Sequence, residues 1–254
     1  MKKMILMSVS TLILAMGFTS CKKDKDNDAD PNSFKVRMTD GPGDYFALNL
    51  QITSVDVFHE GNGWVNLSSQ TQSMNVLSLT NGAEMEIASK TNLTAGTYTK
   101  LRVTFATEAS VQLVGGGSAF TLDWTGGTKQ VEIVINQQIN ASTGADLLID
   151  FNVAQSISQV GLLYYINPMI TVIKDENTGA KGKVVGSANA SVQFSNGTKT
   201  YSTYVNGQGN FLLRGIEPGT YTVAISASGS AQAHEENNVV VTEGQITNMG
   251  NIEL

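Results

Sequence analysis

The chain has 254 residues, with 16 basic and 22 acidic side chains and a formal net charge of −6 at neutral pH. This acidic balance argues against nucleic acid and anionic lipid surfaces as partners, because both attract clustered Lys and Arg. A single cysteine excludes an intrachain disulfide, so stability must come from burial.

The first twenty-one residues have the pattern of a secretory signal that ends on this cysteine. Lys2 and Lys3 precede an apolar stretch, residues 4–16, that is too short to span a bilayer comfortably. The end of the segment at Cys21 resembles the lipobox of bacterial lipoproteins, although Phe18 stands where Leu, Val or Ile is usual. The resemblance implies a signal peptide over residues 1–20, acylation of Cys21 and a membrane contact through the lipid. The alternative is an ordinary secretory signal with a buried thiol.

Residues 21–32 begin with this cysteine, are polar and charged, and predict a disordered acidic tether. The alternating acids from Asp24 to Asp30 imitate a calcium loop only in part. Ala29 and Lys35 stand where such a loop needs Gly and Glu. The segment also resembles the Lys-then-acidic signals that sort lipoproteins of some Gram-negative bacteria. That resemblance implies an outer-membrane location in the cell envelope, exposed at the surface.

Residues 33–174 predict a β-sandwich domain, because apolar residues alternate in short runs separated by glycine-rich turns. Residues 153–160 alone are compatible with a short helix. The runs used for this prediction are Leu48/Leu50/Ile52, Leu101/Val103/Phe105, Val131/Ile133/Ile135 and Leu147/Ile149/Phe151.

Separated motifs in this region resemble a family of bacterial lipoprotein domains whose function is undefined. The match covers residues ~34 to ~174, and it implies a fold and a location but no reaction. It departs from the family at residues 124–129, where the loop differs. The motifs are Met38–Tyr45 (MTDGPGDY), Gly63–Trp64, Leu77–Gly82 (LSLTNG), Leu93–Tyr98 (LTAGTY), Leu148–Phe151 (LIDF), Ser156–Ile157 and Asn167–Pro168.

After a polar linker predicted at residues 175–181, residues 182–254 resemble the carboxypeptidase-regulatory-like module. The hairpin at residues 206–211 (NGQGNF) and the turn at residues 218–223 (PGTYTV) carry this resemblance, which implies a transthyretin-like β-sandwich. The predicted fold class is therefore all-β, with two β-sandwich domains in tandem after a lipoprotein signal and a disordered acidic tether.

Three acids in the first region, Asp40, Asp44 and Asp56, raise the question of a cation site. Hard cations prefer several oxygen ligands, and Asp40 and Asp44 flank one tight turn. The simpler interpretation is that Asp40 closes a turn before Pro42 and that Asp44 caps the next segment. We predict no metal site from the sequence.

Aromatic residues supply the candidate ligand-binding positions, because sugars stack on flat rings. Trp124, beside a Gly-Gly turn, and Tyr204 are the candidates. Trp64 precedes Val65 and Leu67 in a strand pattern, which favours core packing.

The sequence favours a non-enzymatic protein without a cofactor. His59 and His234 lie outside any zinc motif, and no nucleophile elbow, phosphate loop or dinucleotide fingerprint occurs. We expect a membrane-anchored envelope lipoprotein that presents two domains to a surface protein or glycan. The alternatives are a carbohydrate-binding module that uses Trp124 and Tyr204, and an enzyme with paired carboxylates that converge only in the fold.

Overall fold

The computed structural model of the protein describes residues 29–41, 43–127, 129–186, 190–227 and 233–254. The predicted signal, Cys21 and the tether up to Asp28 lie outside the described residues. Within them the chain is almost entirely β-structure, and the all-β prediction is confirmed. No helix in this described part is both long and apolar enough to cross a membrane.

The strands of the first domain are β1 (Phe34–Gly41), β2 (Tyr45–His59), β3 (Gly63–Ser68), β4 (Gln72–Asn75), β5 (Met85–Lys90), β6 (Gly96–Phe105), β7 (Ser110–Leu113), β8 (Phe120–Trp124), β9 (Gln130–Ile139), β10 (Ala145–Asn152), β11 (Ile157–Val160), β12 (Leu163–Ile166) and β13 (Ile170–Ile173). The strands of the second domain are β14 (Gly179–Val185), β15 (Ala190–Ser195), β16 (Thr200–Tyr204), β17 (Asn210–Arg214), β18 (Gly219–Ala227), β19 (Ala233–Val241) and β20 (Ile246–Glu253).

The first domain packs two sheets around one apolar core. Sheet 1 has the order β13-β10-β1-β5, and sheet 2 has the order β11-β12-β8-β7-β2-β6-β9, with β3 and β4 also paired to β2. Alternating side chains of both sheets are buried, including Val36 on β1, Ile149 on β10, Val55 on β2 and Leu101 on β6. This burial of one face of each strand is what the two-residue period predicted.

Only half of the segment predicted to be compatible with a helix is helical. The α-helical turn α1 (Val153–Ser156) begins after Asn152, whose side chain accepts a hydrogen bond from the Gln155 amide. Residues 157–160 instead form β11, which pairs with β12 from Ile157 opposite Ile166. The partner strand β12 lies beyond residues 153–160, so the pairing could not be predicted from that segment alone.

The second domain has its own core between sheet 3 (β17-β14-β20) and sheet 4 (β16-β15-β18-β19). Tyr221, Val223 and Ile225 alternate along β18 and are all buried. The predicted linker at 175–181 differs from the structure at its end. Residues 179–181 belong to β14, and Ala180 is fully buried because β14 pairs with both β17 and β20.

Both domains contain the same hydrogen bond from a tyrosine hydroxyl to a backbone carbonyl, beside a Gly-Thr-Tyr sequence. In the first domain the Tyr98 hydroxyl donates to the Thr94 carbonyl at 2.9 Å, and in the second the Tyr221 hydroxyl donates to the Glu217 carbonyl at 2.7 Å. Each ring is fully buried in its own core. A buried tyrosine therefore anchors the start of one strand in each sandwich, β6 in the first domain and β18 in the second.

Candidate functional site at the domain boundary

An ion network joins the two domains. Arg37 on β1 donates from Nε to Asp146 Oδ1 at 2.8 Å and from Nη1 to Glu84 and to Glu176 Oε2, the latter at 3.1 Å. Arg214, the last residue of β17, reaches the same group from the second domain, with its Nη1 2.7 Å from Glu84 Oε1 and 3.7 Å from Glu176 Oε2. Glu84 thus bridges an arginine of each domain.

The side chains of this network are mostly buried, and this burial affects the pKa of Arg37. Burial opposes the positive charge of Arg37, but hydrogen bonds to Glu176, Asp146 and Glu84 outweigh it and raise the pKa of the guanidinium above its ordinary value. Arg37 therefore stays charged. The network tolerates loss of any one carboxylate poorly, because an unpaired buried charge is costly.

The connection between the domains is packed against the second domain. Thr178 is buried, its hydroxyl donates to the Asp175 carboxylate and accepts from the Gly244 amide, and its carbonyl accepts from the Gly215 amide at 2.8 Å. The hydrogen bond from Thr178 lowers the pKa of Asp175. Of the predicted polar linker, only residues 175–178 remain as a connection, and these are held in place rather than free.

The three acids considered from the sequence do not come together. Asp40 is buried at the end of β1, whereas Asp44 is exposed beside the second domain. Asp56 accepts hydrogen bonds from Ser54 and Asn66 on the outer face of sheet 2. Asp150 is instead the partner of Thr39 in the parallel pairing of β1 and β10, and its negative charge acts on Asp40 from the neighbouring strand.

Tyr204 lines a cavity at the boundary between the two domains. The cavity has a volume of about 370 Å³ and is lined by Tyr45, Phe46 and Asp44 of the first domain and by Tyr204 and Asn206 of the second. Burial and the negative charge of Asp44 raise the pKa of Tyr204, and burial also raises that of Tyr45. Phe46 is 64% exposed, so an aromatic ring is open to solvent here.

Trp124, the other predicted ligand-binding residue, is not among the residues that line this cavity. Its indole nitrogen donates to the Thr107 carbonyl at 2.7 Å, and its ring lies 5.7 Å from that of Phe105. The half-buried ring packs against the first core. The structure therefore does not bring Trp124 and Tyr204 to one cavity.

Trp64 is outside the core, contrary to the packing predicted for it. Because side chains alternate along a strand, Val65 and Leu67 face the core and Trp64 faces the other side of sheet 2. There the Arg102 guanidinium carbon lies 3.6 Å from the centre of the indole, and the Phe58 ring packs edge-on at 5.3 Å. The arginine therefore covers one face of the indole.

His59 has a structural role in the first domain. Its Nδ1 accepts hydrogen bonds from the Gly61 and Asn62 amides, both at 3.0 Å, and its Nε2 lies 3.3 Å from the Ala95 carbonyl. Among the described residues, no group of three or more His, Cys, Asp or Glu side chains has the arrangement of a metal cluster.

The sequence missed the ion network because its members are far apart along the chain. Arg37 and Glu176 are 139 residues apart, and Arg214 and Glu84 are 130 apart. Arg37 alternates with the buried Val36 and Met38 along β1, a pattern that predicts an outward-facing charge, so no local signal indicated its partners.

These features define an all-β protein of two sandwich domains joined by ion pairs and a short, packed connection. The family described as "Domain of unknown function (DUF4382)" matches residues 32–167, more than half of the chain, and the protein belongs to this family. A second family, the carboxypeptidase regulatory-like domain, matches residues 174–254. Neither description names a catalytic activity.

A search of curated proteins found no match. Among solved structures, the major pilin protein (T-13) from Streptococcus pyogenes is similar at 8% identity, over 89% of this chain and 98% of that chain. The TM-score is 0.21, so this similarity supports no conclusion about fold or function.

Proposed function

We propose that this protein is a non-enzymatic cell-envelope lipoprotein, anchored through Cys21 in the outer membrane, whose two domains bind a partner at the cell surface. The main support is the short distance along the chain between the predicted anchor and the backbone hydrogen bonds of Asn32. The Asn32 amide donates to the Asn140 carbonyl at 3.2 Å, and the Asn32 carbonyl accepts from the Leu93 amide at 2.9 Å. Eleven residues span at most about 40 Å, so such an anchor would hold the folded domains close to the membrane.

The boundary between the domains supports a presenting role. Glu84 and Glu176 each contact an arginine of both domains, and the connection is hydrogen-bonded to the second domain. Two modules joined in this way present their loops in a defined arrangement, which lowers the entropy lost when a partner contacts both.

The anchor is tested in the full chain by Cys21→Ala, which should move the protein from the detergent phase to the aqueous phase and abolish incorporation of labelled fatty acid. Phe18→Leu, which restores the usual lipobox residue, is the matched control and should keep the label. A wild-type protein that takes up no label, with partitioning unchanged by Cys21→Ala, would refute lipidation.

A carbohydrate is the second candidate partner, and the cavity at Tyr204 favours it. Three aromatic rings (Tyr45, Phe46 and Tyr204) stand beside the carboxylate of Asp44 and the amide of Asn206, a combination that suits stacking and hydrogen bonding to a sugar. On a glycan array, Tyr204→Ala should lose any signal of the wild type, whereas Trp124→Phe should retain it. Loss of the signal in Trp124→Phe alone would place the sugar elsewhere.

The enzyme with paired carboxylates is not favoured. Asp40 and Asp150 line a cavity of only about 40 Å³, far below the roughly 300–1,000 Å³ of small-molecule sites.

A further inference from the structure

A groove on the outer face of sheet 3, which we call the lysine groove, is lined by lysine and asparagine side chains. Its volume is about 480 Å³, within the range of small-molecule sites. Among the described residues that line it, the ionisable ones are Lys181 and Lys183, and none is acidic. In a chain with a formal net charge of −6, the groove is therefore a local reversal of charge. The asparagines in the lining are Asn81, Asn210, Asn248 and Asn251.

The lysines face outward because their neighbours on β14 belong to the core of the second domain. Ala180 and Val184 are buried there. Since side chains alternate along a strand, Lys181 and Lys183 lie on the opposite face of sheet 3, where both are exposed. On the β17 side, Lys183 is opposite Asn210 in the antiparallel pairing. The sheet itself therefore fixes the spacing of the two lysines and places an asparagine beside one of them.

A β-bulge in β20 supplies two more asparagines on the same face. The register of β14 and β20 shifts between Lys181, which is opposite Asn248, and Lys183, which is opposite Asn251. Strict alternation from Asn248 would point Asn251 into the core, and the extra residue turns it outward instead. At the bulge, Gly250 has a φ of +71° and its amide donates to Asn248 Oδ1 at 3.1 Å. The nitrogen of the Asn248 amide is therefore the end that remains able to bond a ligand.

The charges of the two lysines are not compensated within the described structure. Lys199 of the same domain is paired with Glu217, whereas the side chains of Lys181 and Lys183 form neither an ion pair nor a hydrogen bond with another described residue. On the first-domain side of the groove, the Asn81 amide nitrogen also has no acceptor among the described residues. An ammonium group has three donors and no acceptor. The groove thus presents an excess of donors, which suits an anionic ligand.

We propose that the lysine groove binds an acidic carbohydrate, with Lys181 and Lys183 on a carboxylate or sulfate of the sugar and the asparagine amides on its hydroxyls. Hydrogen bonds from an ammonium group to an anion are about twice as strong as those between neutral groups. An amide both donates and accepts hydrogen bonds, as a sugar hydroxyl does. The lysines therefore select for charge, and the asparagines select for a ligand rich in hydroxyls.

The lining favours a sugar over a nucleic acid. Among the described lining residues the aromatic one is Phe211, which is 2% exposed and offers no ring on which a base could stack. Two lysines are also few for a phosphate backbone, whose binding rewards many clustered cations. The proposal needs neither the lipid anchor nor the cavity at Tyr204, because that cavity and the lysine groove have no described lining residue in common.

Calorimetric titration of the full chain in a neutral detergent tests the proposal. The probes are an oligogalacturonate, which carries carboxylates, a heparin oligosaccharide, which carries sulfates, and a neutral cello-oligosaccharide of the same length. At least one acidic probe should bind, and the neutral one should bind at least about tenfold more weakly, because it lacks the charge-assisted hydrogen bonds. Raising the salt concentration should weaken binding of the acidic probe, since both lysines are exposed to solvent.

Four substitutions at exposed positions locate the binding site. Lys181→Ala and Lys183→Ala should each weaken binding of the acidic probe about tenfold. The matched control Lys199→Ala removes the same charge from the same domain outside the groove, and it should change the affinity by less than about threefold. Asn251→Ala leaves the net charge unchanged and should still weaken binding, by about threefold or more, because a hydrogen bond to the sugar is lost.

The proposal is overturned if neither acidic probe binds, or if the neutral probe binds as tightly as an acidic one. Equal losses of affinity in Lys199→Ala and Lys183→Ala would also overturn it, because they would show a response to net charge rather than to the groove. A single-stranded oligonucleotide of the same charge is the last comparison. If it binds as tightly as the acidic sugars and loses affinity in the same variants, the groove does not recognise a carbohydrate.

Discussion

Replacing Tyr221 with Ala removes one of the largest fully buried side chains of the second domain. Its ring lies 6.2 Å from that of Phe194 and 6.1 Å from that of Tyr201, and 1% of the residue is exposed. Truncation of a buried aromatic residue costs about 3–5 kcal/mol, and the lost hydroxyl contact to Glu217 adds about 1 kcal/mol. The sum is most of the ~5–10 kcal/mol that stabilises a domain of this size, so Tyr221→Ala should unfold the second domain near room temperature.

The positions of the tryptophans make the assay specific for one domain. The chain contains two tryptophans, Trp64 and Trp124, and both belong to the first domain. In urea unfolding, tryptophan fluorescence therefore reports the first domain and far-ultraviolet circular dichroism reports both. Tyr221→Ala should shift the dichroism transition and leave most of the fluorescence transition in place.

Tyr98→Ala is the matched control, because Tyr98 makes the equivalent hydrogen bond in the first domain. This variant should shift the fluorescence transition. Tyr221→Phe keeps the ring and should cost only about 1 kcal/mol. A dichroism transition unchanged by Tyr221→Ala would refute the burial of the ring, and equal shifts in both signals would show that the two cores unfold as one unit.

Two further predictions concern the domain boundary and the turn at His59. Glu84→Gln should destabilise the protein by about 1–2 kcal/mol, because Glu84 bridges an arginine of each domain. Glu132→Gln removes an exposed pair and should cost less than about 1 kcal/mol in the same urea titration. Equal costs for the two variants would argue against the bridge. Gly96→Ala should lower the stability measured by fluorescence by about 1–3 kcal/mol, since φ is +147° and a Cβ would lie 2.4 Å from His59 Nε2. At Gly207 a Cβ would meet open space, so Gly207→Ala should change stability by no more than about 0.5 kcal/mol. Similar effects of the two substitutions would contradict this account.

The sequence predicted the strands well where one face is buried. Leu101, Val103 and Phe105 on β6 are buried as their spacing indicated. The alternation failed for Trp64 because the residue was grouped with its neighbour Val65, and adjacent residues in a strand face opposite sides.

The candidate site was predicted less well than the fold, because its geometry depends on which strands become neighbours. Asp40 and Asp44 are close in sequence but differ in burial, whereas the parallel pairing of β1 and β10 places Asp150 beside Thr39. No local pattern reports that pairing. Tyr204 was identified from its residue type, but its cavity depends on contacts with the other domain.

Each domain begins with a strand that pairs in parallel with a late one: β1 with β10, where Phe34 is opposite Ala145, and β14 with β20, where Gly179 is opposite Ile246. During synthesis the N-terminus emerges first, so neither sheet can be completed until its late strand has emerged as well. Contacts between residues so distant in sequence slow folding, because the loop entropy is lost before the contact is gained. We therefore expect both domains to fold late and slowly during synthesis, with the edges of β1 and β14 unpaired in the meantime.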